Sequence, residues 1–131
     1  MEKPFGYELL VDLYACASDI GSIDLVYRFL EEALVVLGST AQAPPYVFKS
    51  PIEKFPDKAG ISAWLPLIES GIQVHTLLCK SFVSIDYYTC GTIDFKIESN
   101  LILLAKRYFK PKVMESQLIL RGKSYYGTED A

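Results

Sequence analysis

Between Ser62 and Cys90 three apolar runs follow one another with very little chain between them. Residues 61–68, 72–78 and 82–90 are strand-like, and their separators are Glu69-Ser70-Gly71 and Cys79-Lys80-Ser81. The second separator predicts a hairpin. In the last run Ser84, Asp86, Tyr88 and Cys90 share one face, while Val83, Ile85 and Tyr87 share the other. That period of two is the mark of a half-buried strand. Cys90 therefore belongs to the more polar face. Pro66, which has no N–H to give a ladder, predicts an edge position or a bulge.

Residues 5–14 read as a central strand, because Leu9, Leu10 and Val11 are consecutive. Ser22 caps a helix to about residue 37, with Val26, Phe29, Leu30, Ala33, Leu34 and Leu37 on one stripe and Gly38 as its stop. Asp94 caps a second helix to about residue 109, whose stripe is Ile97, Leu101, Leu104, Ala105 and Tyr108. Pro111 ends it. Short strands are predicted at residues 46–48 and 113–120. Residues 50–60 read as an exposed loop that carries Phe55, and loops on a rigid scaffold often hold binding groups. The tail from Gly122 is expected to be mobile.

This order predicts an α+β fold, a two-layer sandwich in which an antiparallel sheet carries two helices on one face. At 131 residues the chain is one domain. Half of its residues are hydrophobic, so the second sheet face is expected to be buried against another copy. The expected assembly is a homodimer with α/β/β/α layering.

The formal charge of -3 argues against a nucleic-acid binder. No apolar run reaches the roughly 18–20 residues of a membrane span. The start, Met1-Glu2-Lys3-Pro4, lacks the apolar core of a signal peptide. The expected location is the cytoplasm. Cys16, Cys79 and Cys90 fit neither a disulfide framework nor a zinc motif. Cys16 reads as a small buried apolar residue.

Ser70, His75 and Cys90 are residue types that attack, shuttle or donate protons, and His75 is the only histidine. A hydrolase triad is poorly supported, because Ser70 lacks the Gly-x-Ser-x-Gly elbow. A metal centre is supported less still, because one histidine cannot build the usual ligand set. A third chemistry turns the serine on its own chain. Its hydroxyl attacks the Glu69 carbonyl, the amide becomes an ester, and β-elimination leaves a pyruvoyl group at a new N-terminus. That needs donors for the oxyanion, a group to move protons, and a flexible residue beside the serine. Glu69-Ser70-Gly71 followed by His75 meets those needs. In an unbroken strand Ser62 and Ser70 share a face and Ser70 and His75 do not, so a break is expected near Gly71.

These residues resemble those of the prokaryotic S-adenosylmethionine decarboxylase proenzymes. The matching pieces are residues 6–14 with Cys16, Gly60-Ile61-Ser62, Glu69-Ser70, His75-Thr76, Thr89-Cys90-Gly91 and Arg121-Gly122. The spacings of Ser62, Ser70, His75 and Cys90 match as well. The resemblance implies cleavage between Glu69 and Ser70 into residues 1–69 and 70–131. It implies a covalently bound pyruvoyl group derived from Ser70 as cofactor, with no metal. His75 and Ser62 would assist processing, and Cys90 would be the proton donor after decarboxylation. The substrate would be held as a Schiff base, with the pyruvoyl group as electron sink. The implied function is decarboxylation of S-adenosylmethionine for spermidine synthesis.

The chain also departs from the family. Gly71 stands where members usually carry a histidine, and Leu77-Leu78-Cys79 stands where they carry Trp-Pro-Glu. That glutamate suits ribose hydroxyls. Phe55 is the candidate for adenine stacking, in a loop one residue longer than usual. The alternatives are the same scaffold acting on arginine or ornithine, and a non-catalytic regulatory homologue.

Overall fold

A computed structural model describes residues 4–125. The elements are β1 (Gly6–Tyr14), α1 (Ile23–Leu37), β2 (Tyr46–Ser50), β3 (Gly60–Leu67), β4 (Ser70–Leu77), β5 (Phe82–Thr89), α2 (Phe95–Phe109) and β6 (Val113–Arg121). A 3-10 turn, Leu78–Lys80, joins β4 to β5. The strands form one sheet in the order β2-β3-β4-β5-β1-β6, and every pairing is antiparallel.

Both helices start as their caps require. The Ser22 side chain accepts the Leu25 N–H and that of Asp94 accepts the Ile97 N–H, each satisfying a donor the helix cannot. Gly38 closes α1 in the left-handed conformation. The apolar stripes then bury against one sheet face, where Val26, Phe29 and Leu30 of α1 and Leu101, Leu104 and Phe109 of α2 meet Leu9, Leu65, Ile72 and Ile85. Each such side chain contributes about 1.5–3 kcal/mol when fully buried. On α2 the innermost aromatic is Phe109, with its ring 5.0 Å from that of Phe29. Tyr108, expected on the stripe, is only partly buried.

Three expectations are corrected. Pro66 lies neither on an edge strand nor in a bulge: β3 sits between β2 and β4. Its missing N–H is harmless because β2 pairs only as far as Trp64, and beyond that point the Pro66 carbonyl accepts from Gln42. There is no break at Gly71. The chain turns two residues earlier, at Ile68 and Glu69, and β4 runs unbroken from Ser70. Glu69 has φ 63°, the left-handed region that side chains avoid. Finally, Ser62 and Ser70 do not share a face. The two-residue turn pairs Leu67 with Ser70 and Ser62 with His75, so Ser62 takes the face of His75, and Ser70 that of Leu67. The expectation for the tail falls largely on residues 126–131, outside the described residues.

Candidate active site

Two groups of functional side chains emerge, at different places on the sheet. The first gathers where β4 begins and β5 ends. Ser70 pairs with Thr89 across the ladder, and the Ser70 hydroxyl donates to Thr89 Oγ1 at 2.8 Å. Thr89 is 5% exposed, and its hydroxyl oxygen also accepts the Gly91 N–H at 3.0 Å. Next to it the Cys90 N–H donates to the Glu69 carbonyl at 3.1 Å. That carbonyl belongs to the bond Ser70 would attack, so the chain places a hydrogen-bond donor on its oxygen. A strained backbone, a fixed serine hydroxyl and a polarised carbonyl thus converge on the Glu69–Ser70 bond.

Gly6 of β1 makes this corner possible. A Cβ there would meet the Thr89 carbonyl oxygen at 2.4 Å and the Cys90 Cα at 3.0 Å. Only a residue without a side chain lets β1 approach the end of β5 so closely.

The second group is the pair Ser62–His75, directly opposed across β3 and β4. Both face away from the helices and line a cavity of about 330 Å³ with Tyr46, Phe48 and Trp64. Tyr46 and Trp64 stack with ring centres 5.8 Å apart. His75 stands five residues from Ser70 along β4, roughly 16 Å at ~3.3 Å per residue. Its side chain also leaves the opposite sheet face. The structure therefore brings Ser62 to His75 and Ser70 to Thr89, with the Cys90 amide beside them on the Glu69 carbonyl, and keeps the two groups apart within one chain.

A cavity of about 310 Å³ lies on the helix-free face between them, lined by Glu8, Trp64, Ser70, Gly71, Gln73, Asp86 and Tyr88. Its carboxylates are engaged: Glu8 accepts from the Arg121 guanidinium, which lies over the Tyr88 ring, and Asp86 accepts from the Gln73 amide at 3.2 Å. Phe55 lines neither this cavity nor that of His75, and is 45% exposed in the loop after β2. Cys79 sits in the turn after β4, with its thiol directed to the Asp57 carbonyl. Cys16 is buried, which pushes its thiol pKa up, in keeping with a purely structural role. Among the described residues no group of three or more His, Cys, Asp and Glu could hold a metal, and no helix is long and apolar enough to cross a membrane.

Thr89 and Trp64 are the residues beside the candidate site that sequence reasoning passed over. Thr89 could be found through Thr89-Cys90-Gly91, and Trp64 through alternation, which sets a large aromatic beside Ser62 on the polar face of β3.

Residues 7–122 match the family model described as S-adenosylmethionine decarboxylase. The chain belongs to the S-adenosylmethionine decarboxylase family. It is 33% identical over 119 residues to an S-adenosylmethionine decarboxylase proenzyme 2 of Bacillus cereus, covering 90% of this chain and 89% of that one. It is 29% identical over 123 residues to the proenzyme of Persephonella marina, with 93% and 86% covered. Its fold is that of the adenosylmethionine decarboxylase from Aquifex aeolicus: TM-score 0.74, 24% identity and 92% of each chain covered. The Bacillus cereus and Persephonella marina relatives are both named as proenzymes.

Proposed function

We propose that the chain is a self-processing decarboxylase precursor that cuts itself between Glu69 and Ser70 and then acts on S-adenosylmethionine. The observation that carries this is the junction: Glu69 at φ 63°, its carbonyl held by the Cys90 N–H, and the Ser70 hydroxyl fixed by Thr89. Ser70 Oγ adds to the Glu69 carbonyl carbon and the C–N bond breaks, leaving an ester and a free amine on residue 70. Loss of the residue-70 Cα proton then expels the Glu69 carboxylate from Cβ. Tautomerisation and hydrolysis of the resulting enamine release ammonia and leave a pyruvoyl end on residues 70–131. That group supplies a carbonyl that condenses with an amine and draws electrons as carbon dioxide leaves. Cys90, next to this end, is placed to return the proton.

The proton transfers of cleavage need a base, and Thr89 is not one. His75 with Ser62 supplies it, from a second copy of the chain. In this reading the helix-free sheet faces of two copies pack together, and each copy's Ser62–His75 pair meets the other's Ser70–Cys90 corner through the helix-free cavity that Ser70 and Gly71 line. The exposed Ile119 on that face becomes buried, and Trp64 lines the space left between the copies.

Assay of the cleaved protein against S-adenosylmethionine, arginine and ornithine tests the substrate. Faster turnover of S-adenosylmethionine supports the proposal. A rate no higher than for the two amino acids would sink it and leave the reading in which Leu77-Leu78-Cys79, lacking the family's carboxylate, marks a change of substrate.

A further inference from the structure

Trp64 sits between the two halves of the site. It lines the cavity of Ser62 and His75 and also that of Ser70 and Gly71. It pairs with Gln73, so Gly71 is its diagonal neighbour across the ladder. A Cβ on Gly71 would come within 3.3 Å of the indole Nε1. The indole thus occupies the space that a side chain at position 71 would claim, and Tyr46 holds the ring there from the other side by stacking. The residue remains 49% exposed, and its Nε1–H has no hydrogen-bond partner among the described residues.

A donor without a partner, held over the residue that follows Ser70, has an evident target. A decarboxylase that reacts at residue 70 must hold a carboxylate beside it. The two carboxylates of the cavity are already engaged by Arg121 and Gln73, so they leave the indole N–H free for a ligand. We propose that Trp64 is a substrate-binding residue whose Nε1–H binds the substrate's α-carboxylate. A single neutral donor holds the group without the strong stabilisation an arginine would give it, and the Glu8 and Asp86 carboxylates on the same wall oppose it further, which suits a carboxylate that must leave as carbon dioxide.

The inference rests on the proposed reaction at residue 70, and the test separates the two. Trp64→Phe keeps the ring and loses the donor. The variant is expected to cleave itself like the wild type, read by intact mass, and to raise KM for the amino-acid substrate about three- to tenfold, the worth of one hydrogen bond. Inhibition by the decarboxylated amine product, which lacks the carboxylate, is expected to be unchanged. Gly71→Ala, which pushes the indole aside, is expected to raise KM in the same way. Equal weakening of substrate and product would overturn the inference, because it would mean that Trp64 only packs. So would an unchanged KM in both variants. An uncut wild-type chain would instead overturn the reaction itself.

Discussion

The backbone N–H of Cys90 lies 3.1 Å from the carbonyl oxygen of Glu69, the oxygen on which negative charge would develop during self-cleavage. Cys90 therefore has two separable parts. Its amide would serve the cleavage and its thiol would serve the decarboxylation. Cys90→Ala keeps the amide and removes the thiol. Self-cleavage is expected to proceed within a few-fold of wild type, while decarboxylation falls by about 10²–10⁴, the usual contribution of a positioned proton donor. Time-resolved intact mass and a carbon dioxide assay read the two separately. Loss of cleavage would show that the thiol acts in processing.

Thr89 accepts from both the Ser70 hydroxyl and the Gly91 N–H, so Thr89→Val removes both bonds from a part-buried corner. The precursor is expected to lose about 0.5–1.5 kcal/mol of stability, measured by urea unfolding, and to cleave about tenfold more slowly. Thr89→Ser keeps the oxygen and is expected to restore both. Normal cleavage by Thr89→Val would remove Thr89 from the mechanism.

Much of this was readable in advance. The caps Ser22 and Asp94 announced both helices, and alternation in residues 82–90 assigned β5 its two faces. The face of Ser70 was not readable. It depended on where the turn lay, because an odd change in which residues pair across it moves every side chain of β4 to the other face. Local pattern favoured glycine as the kink, yet the positive φ fell on Glu69, a residue with no propensity for it. The cost of that conformation, roughly 1–2 kcal/mol, is borne where the chain is to be cut, and a strained functional site is where local rules are expected to fail. Thr89 stood within the matching piece Thr89-Cys90-Gly91, but its contact was not readable, because it arises from pairing with Ser70 across the sheet, 19 residues away.

Because Ser70 and His75 stand on opposite faces of one strand, the two-copy reading makes a complementation prediction. Ser70→Ala cannot cleave, and His75→Ala is expected not to. When the two are mixed under refolding conditions or co-expressed, the His75→Ala chain supplies Ser70 and the Ser70→Ala chain supplies His75 at one of the two sites. Cleavage of the His75→Ala chain alone is then expected, up to the fraction of mixed dimers. No cleavage in the mixture, with dimers present by sedimentation, would place both residues in one chain's site and contradict the shared interface.

The central claim is that the Glu69–Ser70 bond breaks by the chain's own chemistry. Intact mass of the freshly purified wild-type protein under denaturing conditions tests it most directly. The account predicts two fragments, residues 1–69 with an ordinary carboxyl end and residues 70–131 lighter than a serine-ended fragment by the mass of one ammonia lost. It also predicts that Ser70→Ala gives one uncut chain. A wild-type chain that stays whole, or that splits at another bond, would contradict it.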